Sequence, residues 1–142
     1  MPPRVLSQPQ VEAFHRDGFV AVPGFLSTDR LERLVAWTEA LQAMPDTPGR
    51  QMKYYEDSIL EPGRRVLNRL ENFCPYHPGM NALATQGALI GAVGDLLGEP
   101  AVLFKDKINF KLPGGDGFKA HQDAQAGWDI YADYFVTALV AI

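Results

Sequence analysis

Lys105-Asp106-Lys107-Ile108-Asn109-Phe110-Lys111-Leu112-Pro113-Gly114-Gly115-Asp116-Gly117-Phe118-Lys119-Ala120-His121-Gln122-Asp123 is the stretch that decides how this chain folds and what chemistry it can hold. Its first part belongs to an extended segment running from Ala101 to Lys111. In such a segment Leu103, Lys105, Lys107, Asn109 and Lys111 share one face, and Val102, Phe104, Asp106, Ile108 and Phe110 the other, because side chains two apart project to the same side. A solvated face of an antiparallel sheet accounts for this pattern without any function. The alternative makes the cationic face the lumen of a barrel. There the lysines and Asn109 bind a small anion such as a dicarboxylate, and the apolar face packs on helices. Gly114, Gly115 and Gly117 then permit close backbone approach and left-handed dihedrals, and Phe118 follows as an apolar wall.

His121-Gln122-Asp123 ends the stretch. On a strand, an imidazole and a carboxylate two residues apart converge on one point, and the pair is two thirds of the 2-His-1-carboxylate triad that holds non-haem Fe(II). With three histidines among 142 residues, some His-x-Asp arises by chance in about one such sequence in five, so the weight comes from the preceding strand and turn. No third ligand is evident. His15 falls near the end of a helix and His77 lies between Pro75 and Pro78; both read as structural or surface residues. Cys74 reads as a small buried apolar group, and Trp128 and Tyr131 as core or as pocket lining.

Composition narrows the classes. A length of 142 residues with 46% hydrophobic content suits one domain, 1–142. The net charge of -4 argues against a nucleic-acid partner. A lone cysteine, the absence of an apolar leader after Met1 and the lack of any bilayer-length apolar run lead to the expectation of a cytoplasmic protein outside the membrane.

Along the chain, Ser7 with Gln10 three residues on predicts a capped helix stopped by Gly18, followed by a strand at Phe19-Val20-Ala21-Val22. Ser27 caps a second helix in which Leu31, Leu34, Val35 and Leu41 recur at helical spacing. From Ala43 to Arg65 the prolines and glycines predict a long connection with a short strand near Tyr54, and Val66 to Leu70 a further strand. A third helix is expected from about Asn81 to Leu97, and an apolar strand from Tyr134 to Ile142. Helices first and strands afterwards predict an α+β fold. Because Val136 to Ile142 stops inside an apolar run, which would leave an unpaired edge, truncation at the C-terminus is expected.

Two separated segments carry a resemblance. Lys105 to Gly115 with Phe118-Lys119-Ala120-His121-Gln122-Asp123, and Phe14-His15-Arg16-Asp17-Gly18-Phe19-Val20 with Pro23-Gly24-Phe25-Leu26, together resemble the phytanoyl-CoA dioxygenase family. The resemblance implies an Fe(II)- and 2-oxoglutarate-dependent dioxygenase on a partial double-stranded β-helix, a cupin-like jelly-roll barrel with N-terminal helices packed outside. His121 and Asp123 would be two iron ligands. Lys107 and Asn109, with Lys105 on the same face, would contact 2-oxoglutarate; Arg69 resembles a position where relatives place a basic residue on that cosubstrate, and Phe118 would border the metal. The family's distal histidine and 2-oxoglutarate-clamping arginine have no counterpart in the nineteen residues after Asp123, so the chain by itself is expected to be inactive. The implied substrate is a small polar metabolite, such as an aminophosphonate or an ectoine-like compound. Rival readings are a non-catalytic fragment and a cupin-like barrel that binds an anion without redox chemistry.

Overall fold

The computed structural model describes residues 4–142. The first helix, α1 (Gln8–Asp17), begins and ends where its local chemistry dictates. The Gln10 side-chain oxygen accepts from the Ser7 backbone N–H at 2.8 Å, and Gly18 closes the helix in the left-handed conformation at φ 80. The second, α2 (Thr28–Ala43), follows Ser27 and buries Leu34, Thr38 and Leu41. The Thr38 hydroxyl is satisfied by donating to the Leu34 carbonyl at 2.8 Å.

Three antiparallel strands follow in the order β1 (Met52–Asp57), β2 (Arg65–Glu71), β3 (Lys107–Asn109). Between β2 and β3 the chain forms α3 (Pro78–Thr85) and α4 (Gly87–Leu97). The register pairs Tyr54 with Arg69 and Arg69 with Asn109, then Met52 with Glu71 and Glu71 with Lys107, so these six side chains lie on one face. Leu70 and Ile108 pair on the opposite face, where Leu70 is wholly buried against Leu34, Leu41, Phe73 and Met80. A second apolar cluster gathers Leu6, Ala92 and Leu96 with Val20, Val22 and Val136. The result is the mixed helix-and-strand arrangement expected, built around a small antiparallel sheet.

Four expectations are corrected. Phe19 to Val22 forms no strand; Val20 and Val22 are instead apolar plugs against the second cluster, without a neighbouring strand to pair with. The single helix from Asn81 to Leu97 is two, beginning at Pro78. Gln86 takes an extended backbone that caps both, and Gly87 has φ 70, which no continuous helix allows. Of Ala101 to Lys111, only Lys107–Asn109 is laddered, although the alternation of exposed and half-buried side chains holds from Lys105 to Lys111. Tyr134 to Ile142 is not laddered either; Val136 and Val140 rest on the two apolar clusters through side chains alone. No helix among the described residues is long and apolar enough to cross a membrane.

Candidate functional site

Lys107 and Asn109, from the cationic face expected from the sequence, share a face of the sheet with Tyr54, Arg69 and Glu71 of the neighbouring strands. The Arg69 guanidinium lies over the Tyr54 ring, 4.0 Å from its centroid, and its Nε donates to Glu71 Oε1 at 2.8 Å. Lys105 Nζ reaches the other oxygen, Oε2, at 3.2 Å. The ammonium groups of Lys107 and Lys111 both turn to Phe118, 5.5 and 5.1 Å from its ring centroid. Such contacts place positive charge on the electron-rich face of the ring. Glu71 was missed in the sequence. Its signal was the Arg69-Leu70-Glu71 spacing, which obeys the same two-residue rule that made His121-Gln122-Asp123 stand out.

The glycine turn delivers the next element. Gly114, at φ 90, packs so tightly on the β1–β2 connection that a Cβ there would come 2.3 Å from the Ser58 hydroxyl, and its carbonyl accepts from the Ile59 N–H at 2.9 Å. Close approach of this kind needs glycine. Past Phe118, the pair His121 and Asp123 converges as expected, with His121 Nε2 3.2 Å from Asp123 Oδ1. The cause differs from the one expected. Neither residue is on a strand; His121 is in irregular backbone and Asp123 opens a 3-10 turn, Asp123–Ala126.

The outer contacts of this pair fix its donor set. His121 Nδ1 lies 2.6 Å from the Lys119 carbonyl, and since a carbonyl only accepts, Nδ1 carries the hydrogen. In the neutral ring, Nε2 is then a lone pair facing a carboxylate oxygen. Two acceptors at this distance need a proton or a cation between them. Asp123 Oδ2 is held by the Thr137 hydroxyl, which donates at 3.0 Å. An imidazole oriented by a backbone carbonyl and a carboxylate oriented by a hydroxyl are the outer contacts typical of metal ligands, and this nitrogen-oxygen set fits Fe(II). Among the described residues, no group of three or more His, Cys, Asp or Glu side chains is placed to hold a metal.

The other candidates find structural roles. His77 caps α3, its Nδ1 accepting from the Met80 N–H at 3.1 Å, and its ring lies 5.5 Å from that of Trp37. His15 is exposed beside Phe14. Cys74 is buried, and burial, aided by the neighbouring Asp106 carboxylate, pushes its thiol up to about 12. Asp106 itself accepts from the Phe73 and Cys74 N–H groups, at 3.3 and 2.8 Å, which ties the strand entry to the turn Cys74–Tyr76. Trp128 and Tyr131 join Phe104 and Phe135 in an aromatic cluster. A groove of about 870 Å³ opens at the end of the sheet, between Glu71 and Lys105 on one side and Asn81 and Thr85 of α3 on the other.

Residues 14–142 match the phytanoyl-CoA dioxygenase family. The chain belongs to that family. Its relatives within and around it are small-molecule oxygenases by name: 2-aminoethylphosphonate dioxygenase of the uncultured bacterium HF130_AEPn_1, 41% identical over 96% of this chain and 52% of its own length; methylphosphonate hydroxylase of Gimesia maris, 37% identical over 85% and 45%; and ectoine dioxygenase of Halomonas elongata, 32% identical over 83% and 34%. The chain thus spans about half the length of the first two of these relatives. No solved structure matches it.

Proposed function

We propose that this chain belongs to an Fe(II)- and 2-oxoglutarate-dependent dioxygenase that hydroxylates a small polar metabolite of the phosphonate or ectoine type. The observation that carries the reading is the His121–Asp123 pair, with Nε2 aimed at Oδ1 and both side chains braced from behind. The three-stranded sheet is read as part of a jelly-roll barrel, and its cationic face as lumen. On this reading a third iron ligand and an arginine that clamps 2-oxoglutarate are still needed to complete the site. A cytoplasmic setting belongs to the same reading.

When bound, the ferrous ion would activate dioxygen, the oxidant of the reaction, one oxygen atom passing to 2-oxoglutarate as it is decarboxylated to succinate and carbon dioxide and the other entering the substrate's C–H bond. The chain's own residues do the rest. His121 and Asp123 would hold the ion through Nε2 and a carboxylate oxygen, with the Lys119 carbonyl and the Thr137 hydroxyl keeping them from rotating. The cationic face, through Lys107 and Asn109 beside Phe118, would attract the dianionic cosubstrate. Fixed charges of this kind act without reorganising during reaction.

The test is to express the protein with whatever its coding frame carries beyond Ile142. Under anaerobic conditions, Fe(II) plus 2-oxoglutarate is expected to give a visible metal-to-ligand charge-transfer band that His121→Ala abolishes. In air, succinate is expected to form in step with added 2-aminoethylphosphonate, methylphosphonate or ectoine. A band that survives His121→Ala would overturn the ligand assignment. Anion binding that persists after chelation of all metal, without turnover, would favour the non-redox barrel.

A further inference from the structure

Glu71 is a carboxylate with a side chain only 7% exposed, on the sheet face that also carries Arg69 and Lys107. Burial of an unpaired carboxylate is unfavourable, so its partners are held firmly. Its cross-strand neighbour is Lys107, yet the carboxylate does not pair with it. One oxygen takes Arg69 Nε and the other takes Lys105 Nζ. Arg69 is further committed by the Tyr54 ring beneath it. Lys107 and Lys111, by contrast, are in no ion pair among the described residues, and both ammonium groups converge on Phe118. Asn109 lies between them on the same face.

We propose that Glu71 is an internal counter-ion that withdraws Arg69 and Lys105 from ligand binding, so that a dianionic ligand meets Lys107, Lys111 and the Asn109 amide around Phe118 instead. Glu71 thereby decides which of four cations recognise the anion, and it is a specificity-determining residue that need not touch the ligand. The inference rests on the reading of this face as an anion site. Ring-bound ammonium groups keep their N–H donors available to a carboxylate or phosphonate, whereas the donors of Lys105 and Arg69 that face Glu71 are already satisfied.

Two measurements on the 142-residue chain test it. Acetic anhydride labelling read by mass spectrometry needs no ligand: Lys105 is expected to label about tenfold more slowly than Lys107 and Lys111, and Glu71→Gln is expected to remove the difference. Equal rates in the parent chain would overturn the proposal. Metal-free titration with 2-oxoglutarate is the second arm. Lys107→Met and Lys111→Met are each expected to weaken binding about tenfold, and Lys105→Met to leave it within about twofold. In the Glu71→Gln background, where no buried carboxylate is left unpaired, Lys105→Met is expected to cost as much as the others. A loss for Lys105→Met in the parent chain equal to that for Lys107→Met also overturns it, provided that its circular dichroism melt matches the parent's. If 2-oxoglutarate does not bind at all, the reading of this face as an anion site fails, and the labelling rates still decide the pairing.

Discussion

Thr137 and Asp123 are fourteen residues apart, yet the threonine hydroxyl donates to Asp123 Oδ2 at 3.0 Å while the other carboxylate oxygen faces His121. The contact splits the carboxylate's work between its two oxygens. One is spent on orientation and one is left for a cation.

Thr137→Val keeps the shape of that side chain and removes only the hydrogen bond. Outer contacts of this kind are worth about 10–100-fold in metal affinity. The variant is expected to bind Fe(II) about tenfold more weakly, read from paramagnetic broadening of the His121 ring signals during anaerobic titration. Unchanged broadening would show that Thr137 does not orient the carboxylate.

Cys74 makes a prediction about pH. Burial first, and then the hydrogen bond and charge of Asp106, raise its thiol from an ordinary value of 9.0 to about 12. The unfolded chain therefore loses the thiol proton before the folded one does. Stability from the neutral buried thiol is complete below about pH 9 and is lost as pH rises toward 12. Urea midpoints are expected to fall across that window in the parent chain and less so in Cys74→Ala. Native protein at pH 8 is expected to resist iodoacetamide, since the reactive species is the thiolate.

What was legible in the sequence was whatever local rules determine. Ser7, Gln10 and Gly18 mark α1 because caps are satisfied by near neighbours, and the alternation from Lys105 to Lys111 survives as burial because a strand's faces have a period of two. The break at Gln86 and Gly87 was hidden, since Leu83 and Ile90 remain apolar on either side of it and periodicity does not register a backbone turn. Laddering was equally hidden. Phe19 to Val22 and Tyr134 to Ile142 have strand-like residues, but a strand also needs a partner, and pairing is a tertiary fact. For the site, the convergence of His121 and Asp123 was foreseen from the wrong geometry, and Glu71 was overlooked because an Arg-x-Glu on a strand looks like a solvated pair.

Asp95 makes the opposite pH prediction from Cys74. Its carboxylate accepts from the backbone N–H groups of Arg4, Val5 and Leu6 at 2.9, 2.7 and 2.9 Å, tying the N-terminal segment to α4. Partial burial pushes its acidity one way, but these three donors, with the Arg4 charge, prevail and hold it below the ordinary 3.8. A depressed carboxylate contributes stability that is present above its unfolded value and is lost as pH falls through the folded one. Amide exchange at Val5 and Leu6 is therefore expected to accelerate, relative to that within α1, below about pH 4, and Asp95→Ala is expected to show that acceleration already at neutral pH. Equal protection of Leu6 in the variant would sink the idea that Asp95 is the tie.

Gly79, in the first turn of α3, is fixed by a neighbour rather than by its own backbone. A Cβ built there would lie 2.6 Å from the Trp37 ring of α2, closer than any real contact, and the six-membered ring lies across it rather than end-on. Trp37 is also held by His77, the cap of α3, whose ring centroid lies 5.5 Å from its own. Gly79→Ala gains helix propensity, worth about 1 kcal/mol in an open helix. Overpacking in a filled site costs about 1–3 kcal/mol, so the clash is expected to win and the net change to be destabilising. The check is a double-mutant cycle: Trp37→Phe, which removes the benzo ring, is expected to turn Gly79→Ala from destabilising to neutral or stabilising in urea melts. If the penalty persists with Phe at position 37, the close approach of α2 and α3 is not what requires glycine there.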